Sequence, residues 1–345
     1  MGSLKHIVTL ICVCVPLPAL AQPIPDWTID ELEAAIANGE LGKVRAAAVE
    51  QAGSLTYRKR FDGMEMGSPV DIKSAGKSIT AIVVGMAIDD GFLTGVEQKV
   101  WPLLGSRRTD AASQVSIGDL LSMSSALDCN DWERRSPGQE EKMYAKRDWR
   151  EFALNLPLRD RGDRDDFSYC TAGVFLLGQA VQEASGERFD RYVQRRLFDP
   201  LGIQGVEWRR SRSGEVQSGG QLTISDGALL KIGRLVMSGG EWEGKQLVSE
   251  DWLRAMLAPR HQMGEHVHYS RLWWLTPLRS SSGYVGAFMM KGNGGNIVAL
   301  VPAYDAVLVV QTENYNQREA ERNSFVVLTS MLGSLDAPSG GPPAQ

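Results

Sequence analysis

Ser74-Ala75-Gly76-Lys77 sets a hydroxyl and an amine three residues apart. On a helix that spacing puts both side chains on one face, so the lysine can reach the serine. A serine hydroxyl at its ordinary pKa is a poor nucleophile, and an amine held neutral in a dry site can take its proton. The pattern points to acyl transfer. The same stretch holds Gly76-Lys77-Ser78, the closing triplet of a phosphate-binding loop. That loop needs a glycine five residues before Gly76, and Asp71 stands there, which argues against nucleotide binding.

Two further segments could complete such a site. Phe167-Ser168-Tyr169-Cys170-Thr171 leads into an apolar helix and offers a phenol as proton carrier. Lys291-Gly292-Asn293-Gly294-Gly295-Asn296 precedes an apolar strand, and its glycines let backbone approach a substrate closely. A Ser-His-Asp hydrolase finds less support. The chain has no Gly-x-Ser-x-Gly elbow, and beyond its first residues the histidines are His261, His266 and His268, in one segment. They read as a polar loop before Trp273-Trp274, neither a metal site nor the base of a triad. No metal and no cofactor are expected.

The elements that must hold these residues can be read from periodicity. Ile79, Ile82, Val83, Met86 and Ala87 recur at helical spacing, with Ala81, Gly85 and Ile88 on the other side. A helix apolar nearly all round is buried. It is expected to carry Ser74 and Lys77 in its electropositive first turn and to end at Gly91. Helices are expected over 30–37, 171–183, 189–198, 222–237, 250–257 and 317–332, and Ser116-Ile117-Gly118-Asp119 resembles a capping box. Strands are expected over 44–51, 54–61, 272–275, 284–290, 296–301 and 306–312. With strands at both chain ends and helices between, the pattern is an α/β (α+β) fold: an antiparallel sheet with a mainly helical insertion. The sheet domain is discontinuous, 22–100 and 211–335, and the helical domain runs 101–210. The serine falls at their junction, where clefts form.

Residues 1–21 read as a secretory signal peptide: Lys5, an apolar run to Leu20, and the small residues of Ala19-Leu20-Ala21 before Gln22. The run is too short to span a bilayer, so an exported protein, periplasmic or secreted, without a membrane span is expected. The whole chain of 345 residues carries a net charge of −5, which argues against nucleic acid as a partner. Cys12 and Cys14 leave with the leader. Cys129 and Cys170 remain, as a disulfide or as two small buried thiols. The tail at 336–345, rich in Pro, Gly, Ser and Ala, reads as disordered.

Taken in order, these motifs resemble the serine β-lactamase and penicillin-binding-protein superfamily. The resemblance is to its class C-like branch of esterases, 6-aminohexanoate-dimer-hydrolase-like amidases and D-amino-acid peptidases. Leu120 to Leu127, Asp226 to Gly240, Trp242 and Trp252 add to the likeness, which covers residues 30–334. It implies a β-lactamase/transpeptidase-like fold. It makes Ser74 the acylated nucleophile, Lys77 its general base and Tyr169 the proton shuttle. The N–H groups of Ser74 and Asn296 would form the oxyanion hole. Thr171, Asn293, Gly294 and Gly295 would line the substrate site. Thr171 departs from the usual Asn and Asn293 from the usual basic residue, whose place Lys291 would take. Both departures weaken the case for β-lactam or D-Ala-D-Ala turnover. The likeness also implies a Cys129–Cys170 disulfide beside Tyr169. The function expected is an exported serine hydrolase acting on a small ester, amide or peptide. The alternative is a non-catalytic envelope protein that binds peptidoglycan-like ligands in the same pocket.

Overall fold

The computed structural model describes residues 24, 25, 27–159 and 166–335. The leader read at 1–21 and the tail read at 336–345 lie outside the described residues. Eight strands form one sheet, in the order Ser54–Arg60, Val44–Gln51, Ala306–Thr312, Asn296–Val301, Gly283–Gly292, Trp274–Ser280, Val267–Tyr269, His261–Gly264. Every neighbouring pair is antiparallel. The two ends of the chain meet where Val49 pairs with Leu308.

Asn296–Val301 and Ala306–Thr312 are buried at every position. Both faces of the sheet are covered there, which is why these segments read as continuous apolar runs instead of alternating ones. One face packs Ile29–Ala37 and Ala320–Gly333 through Leu32, Ile36, Phe325 and Leu328. The other packs Gly76–Asp89 and Asp226–Met237 through Ile79, Ile82, Leu229 and Ile232.

The insertion is a set of helices, among them Ile117–Leu121, Glu140–Tyr144, Trp149–Leu154 and Thr171–Ser185. Ser116 and Asp119 close the capping box, with Asp119 N donating to Ser116 Oγ at 3.1 Å and Ser116 N to Asp119 Oδ2 at 2.8 Å. The Thr171–Ser185 helix packs directly on the Gly76–Asp89 helix, so the two motif-bearing helices share one core. Among the described residues no helix is long and apolar enough to cross a membrane.

Three local expectations change. Leu222–Ile224 is a strand, paired with Val70–Asp71 and Glu207–Trp208, and the helix begins only at Asp226. Ser225 caps it by accepting from Ala228 N at 3.2 Å, which places the boundary. His261–Gly264 and Val267–Tyr269 form a hairpin at the sheet edge, where a polar loop is expected. Its residues are mostly half-exposed, so the edge carries no apolar signal. Ser74 itself lies in a 3₁₀ turn, Lys73–Ala75, just ahead of the Gly76–Asp89 helix.

Candidate active site

The serine turn is held from several sides. Lys73 sits at φ 52°, and its N–H donates to Asp71 Oδ1 at 2.9 Å. Its ammonium bridges to Asp71 Oδ2 at 2.6 Å and lies 4.4 Å from the Tyr315 ring centre. Two glycines press backbone against the same turn. A Cβ on Gly292 would collide with the Ile72 carbonyl and lie 2.9 Å from Ala75 N. A Cβ on Gly220 would lie 2.8 Å from Lys73 O. Gly220 also has φ +130°, a conformation that side-chain-bearing residues rarely adopt.

Lys77 is 1% exposed, and its Nζ donates to Ser74 Oγ at 3.0 Å and to Gly219 O at 2.6 Å. The i, i+3 geometry expected from the spacing is therefore formed, and Gly219 fixes the amine from the far side. Gly219 is held in turn by Gln217, whose Oε1 accepts its N–H at 2.8 Å. The Gly219-Gly220 pair was not singled out in the sequence. The glycine doublet itself is the mark that the sequence carries there.

Tyr169 is 8% exposed, and Lys77 Nζ lies 5.1 Å from its ring centre. The loop carrying Cys129 to Trp132 grips it. Cys129 and Cys170 are joined by a disulfide, with Cα atoms 5.3 Å apart. Ser168 Oγ donates to Cys129 O at 2.8 Å, and Asp131 N donates to Tyr169 O at 2.8 Å. The Trp132 indole, 59% exposed, stacks on the Tyr169 ring at 5.2 Å and 9°. The disulfide closes a 41-residue separation, so its removal should cost about 3–4 kcal/mol through the unfolded chain. Cys129→Ser/Cys170→Ser is expected to lower the urea midpoint accordingly and to lose activity under milder denaturing conditions than those that unfold the sheet. Unfolding followed by circular dichroism, run in parallel with an activity assay, checks both.

Thr171 is fully buried; its N–H donates to Asp131 Oδ2 at 2.7 Å and its hydroxyl to Glu140 Oε2 at 3.2 Å. It faces an acidic pair that was not singled out in the sequence, because nothing local marks Asp131 or Glu140. Burial pushes the Asp131 carboxyl up to about 6, against the pull of Lys77 and with added repulsion from Glu140.

Asn293, Gly294 and Gly295 form the hairpin turn between two strands, and Gly294 and Gly295 have φ 87° and 84°. The Asn293 amide is engaged with Asn316, donating to Oδ1 at 2.7 Å and accepting from its N at 2.8 Å. Asn296 is 1% exposed and pairs across the hairpin with Gly292. Its side chain donates to Asn293 O and accepts from Thr312 N, each at 3.0 Å. Gly292, one strand nearer, is the residue set against the serine turn. Lys291 forms an ion pair with Glu321 and lies 5.8 Å from the Phe325 ring centre, on the Ala320–Gly333 helix. Strand alternation is the reason: if Gly292 faces the serine, Lys291 faces away. It does not substitute for a basic residue in the cleft.

His261 lies at the rim, with Nε2 3.0 Å from Ser124 Oγ and its ring against Phe167. Among the described residues no three of His, Cys, Asp and Glu gather where a metal could sit.

The chain is similar to known proteins over most of its length. The family model described as Beta-lactamase matches residues 42–330. A curated relative, 6-aminohexanoate-dimer hydrolase of Paenarthrobacter ureafaciens, is 26% identical over 267 residues, 69% of this chain. The match spans 64% of that relative's own length. Two solved structures have the same fold. One is a penicillin binding protein from Bacillus halodurans, with TM-score 0.68 and 17% identity, covering 86% of this chain and 99% of that one. The other is EstCE1, described as a hydrolase with promiscuous acyltransferase activity, with TM-score 0.71 and 12% identity, covering 88% and 98%.

Proposed function

This chain belongs to the beta-lactamase family, and from that premise we propose that it is a serine hydrolase cleaving a small ester, amide or peptide through a Ser74 acyl-enzyme. The observation that carries the reading is the 3.0 Å contact between Lys77 Nζ and Ser74 Oγ, with the amine buried. Lys77 takes the hydroxyl proton as Oγ bonds to the substrate carbonyl carbon. The oxyanion that forms is met by the Ser74 N–H and by a backbone N–H of the hairpin that begins at Gly292, the region that includes the Asn296 N–H. The Tyr169 phenol carries the proton on to the leaving group, and water then releases the acyl group.

The substrate class is read from the side chains that the family likeness puts at the cleft. Thr171 and Asn293 are bound to protein neighbours, and Lys291 is paired with Glu321. A substrate whose carboxylate would need Lys291 as its cation is therefore disfavoured. Linear esters and amides remain, including the class of small amide named for the Paenarthrobacter relative. The Cys129–Cys170 bond suits an oxidising compartment, and we place the protein outside the cytoplasm, periplasmic or secreted.

A panel of p-nitrophenyl esters, the 6-aminohexanoate dimer, nitrocefin and a D-Ala-D-Ala peptide tests the reading. Turnover of an ester or the linear amide is expected, with nitrocefin and the peptide much slower. Tyr169→Phe should lower amide turnover about a hundredfold and activated-ester turnover less, because a good leaving group needs little protonation. No turnover of any substrate, together with no labelling by a fluorophosphonate, would overturn it in favour of a ligand-binding protein.

A further inference from the structure

We propose that Gln217 is a positioning residue of this site, whose side-chain oxygen fixes the Gly219 peptide that aims the Lys77 amine at Ser74. The inference rests on the roles of Ser74 and Lys77 given above.

Lys77 Nζ ends a flexible four-carbon stem, so the stem alone does not direct it. Its hydrogen bonds among the described residues run to Ser74 Oγ at 3.0 Å and to Gly219 O at 2.6 Å. A neutral amine has two N–H bonds and one lone pair. One N–H held by Gly219 O restricts rotation about the Cε–Nζ bond and leaves the lone pair to face Oγ. The serine O–H then donates along the same 3.0 Å contact. As Oγ bonds to the carbonyl carbon, its proton becomes the third N–H of the lysine, and the bond to Gly219 O persists through the step.

The carbonyl that does this belongs to a Gly-Gly pair, backbone with the greatest freedom to rotate. A side chain has no room at 219: a Cβ there would lie 2.9 Å from Thr171 O, from Thr171 Cγ2 and from Gln217 Oε1. Neighbours must therefore remove the freedom. The Gly219 N–H donates to Gln217 Oε1 at 2.8 Å. At the other end of the same peptide unit, Ser218 O accepts from Thr80 Oγ1 at 2.6 Å. Further on, Gln221 N donates to Lys73 O at 3.2 Å, beside the serine. Gln217 is fully buried, and its own N–H donates to Arg209 O at 2.9 Å. Its side-chain oxygen must face the Gly219 N–H, because a donor needs an acceptor. Its Nε2 has no hydrogen-bond partner among the described residues. A buried donor left unpaired is destabilising, and an apolar side chain of the same length would avoid that penalty. The half of the amide in use is the oxygen, and it is used on the peptide that leads to the Lys77 acceptor.

The test is a double-mutant cycle, read as the rate of fluorophosphonate labelling of Ser74. Wild type, Gln217→Met, Lys77→Met and the double variant are compared, with incubation long enough to follow the slow Lys77→Met proteins. Methionine keeps the length of glutamine and lacks the acceptor. Gln217→Met is expected to slow labelling about tenfold, since a small misplacement of a reacting group has effects of that order or more. In the Lys77→Met background the same substitution should change the rate by less than about twofold, because no amine is left to aim. A purely structural loss would carry its full factor into both backgrounds, so equal factors overturn the proposal. A folded Gln217→Met that labels as fast as wild type also overturns it. If Gln217→Met does not fold, Gln217→Asn, which draws the oxygen back by one methylene, decides through the same cycle and the same outcomes. Wild type that takes no label, or Lys77→Met that labels at the wild-type rate, overturns the reading of the site and this inference with it. A lysine-dependent wild type whose variants fail the cycle overturns this inference alone.

Discussion

Ser74→Ala is expected to abolish turnover and covalent labelling while leaving the protein folded. The hydroxyl is the nucleophile of the proposed mechanism, and removing a nucleophile typically costs a thousandfold or more in rate. The stability cost should stay small. Ser74 is only partly buried, and its loss removes one acceptor of Lys77 Nζ while Gly219 O keeps the other. The turn is held by Asp71, Gly220 and Gly292 and not by the serine side chain. Intact-mass spectrometry after fluorophosphonate treatment checks the result. A wild-type adduct of one label with none on the alanine variant is the expected outcome. An adduct that persists on the variant would move the nucleophile elsewhere.

Lys77→Ala is expected to lower the acylation rate by about a hundredfold or more, as loss of a general base does. It should also cost stability, since it opens a cavity in the core and leaves the buried Gly219 carbonyl without its donor, a penalty of about 1–3 kcal/mol. Lys77→Met separates the two effects by filling the space without supplying a base. Lys77→Arg should not rescue, because a planar guanidinium cannot enter a site shaped for a point charge on a straight stem. Pre-steady-state burst kinetics with an activated ester reads the acylation step directly. Acylation at the wild-type rate in a folded Lys77→Met variant would remove the lysine from the mechanism.

The local parts of this site were legible because their chemistry is local. Ser74 and Lys77 meet through i, i+3 spacing, and the buried helix behind them announces itself by its apolar period. The strands Val44–Gln51, Asn296–Val301 and Ala306–Thr312 stand where their apolar runs put them. The family likeness rested on motif order, which the match over residues 42–330 bears out. The Cys129–Cys170 pair is joined as the likeness implied.

Residue type and short spacing therefore determined, in the sequence alone, the Ser74–Lys77 contact, the buried helix that starts at it and the antiparallel sheet made from both chain ends. The tertiary structure decided what faces what. Lys291 turns to Glu321 because its neighbour Gly292 must touch the serine turn, and no reading of the strand in isolation says which face that is. Thr171 meets Asp131 and Glu140 across 40 and 31 residues of chain, and Lys77 meets Gly219 across 142. These contacts depend on how helices pack and loops close, so their members carry no periodic or local mark. Charge follows the same rule: Asp131 is an ordinary acid in the sequence, and burial, reinforced by Glu140 and opposed by Lys77, lifts its proton affinity.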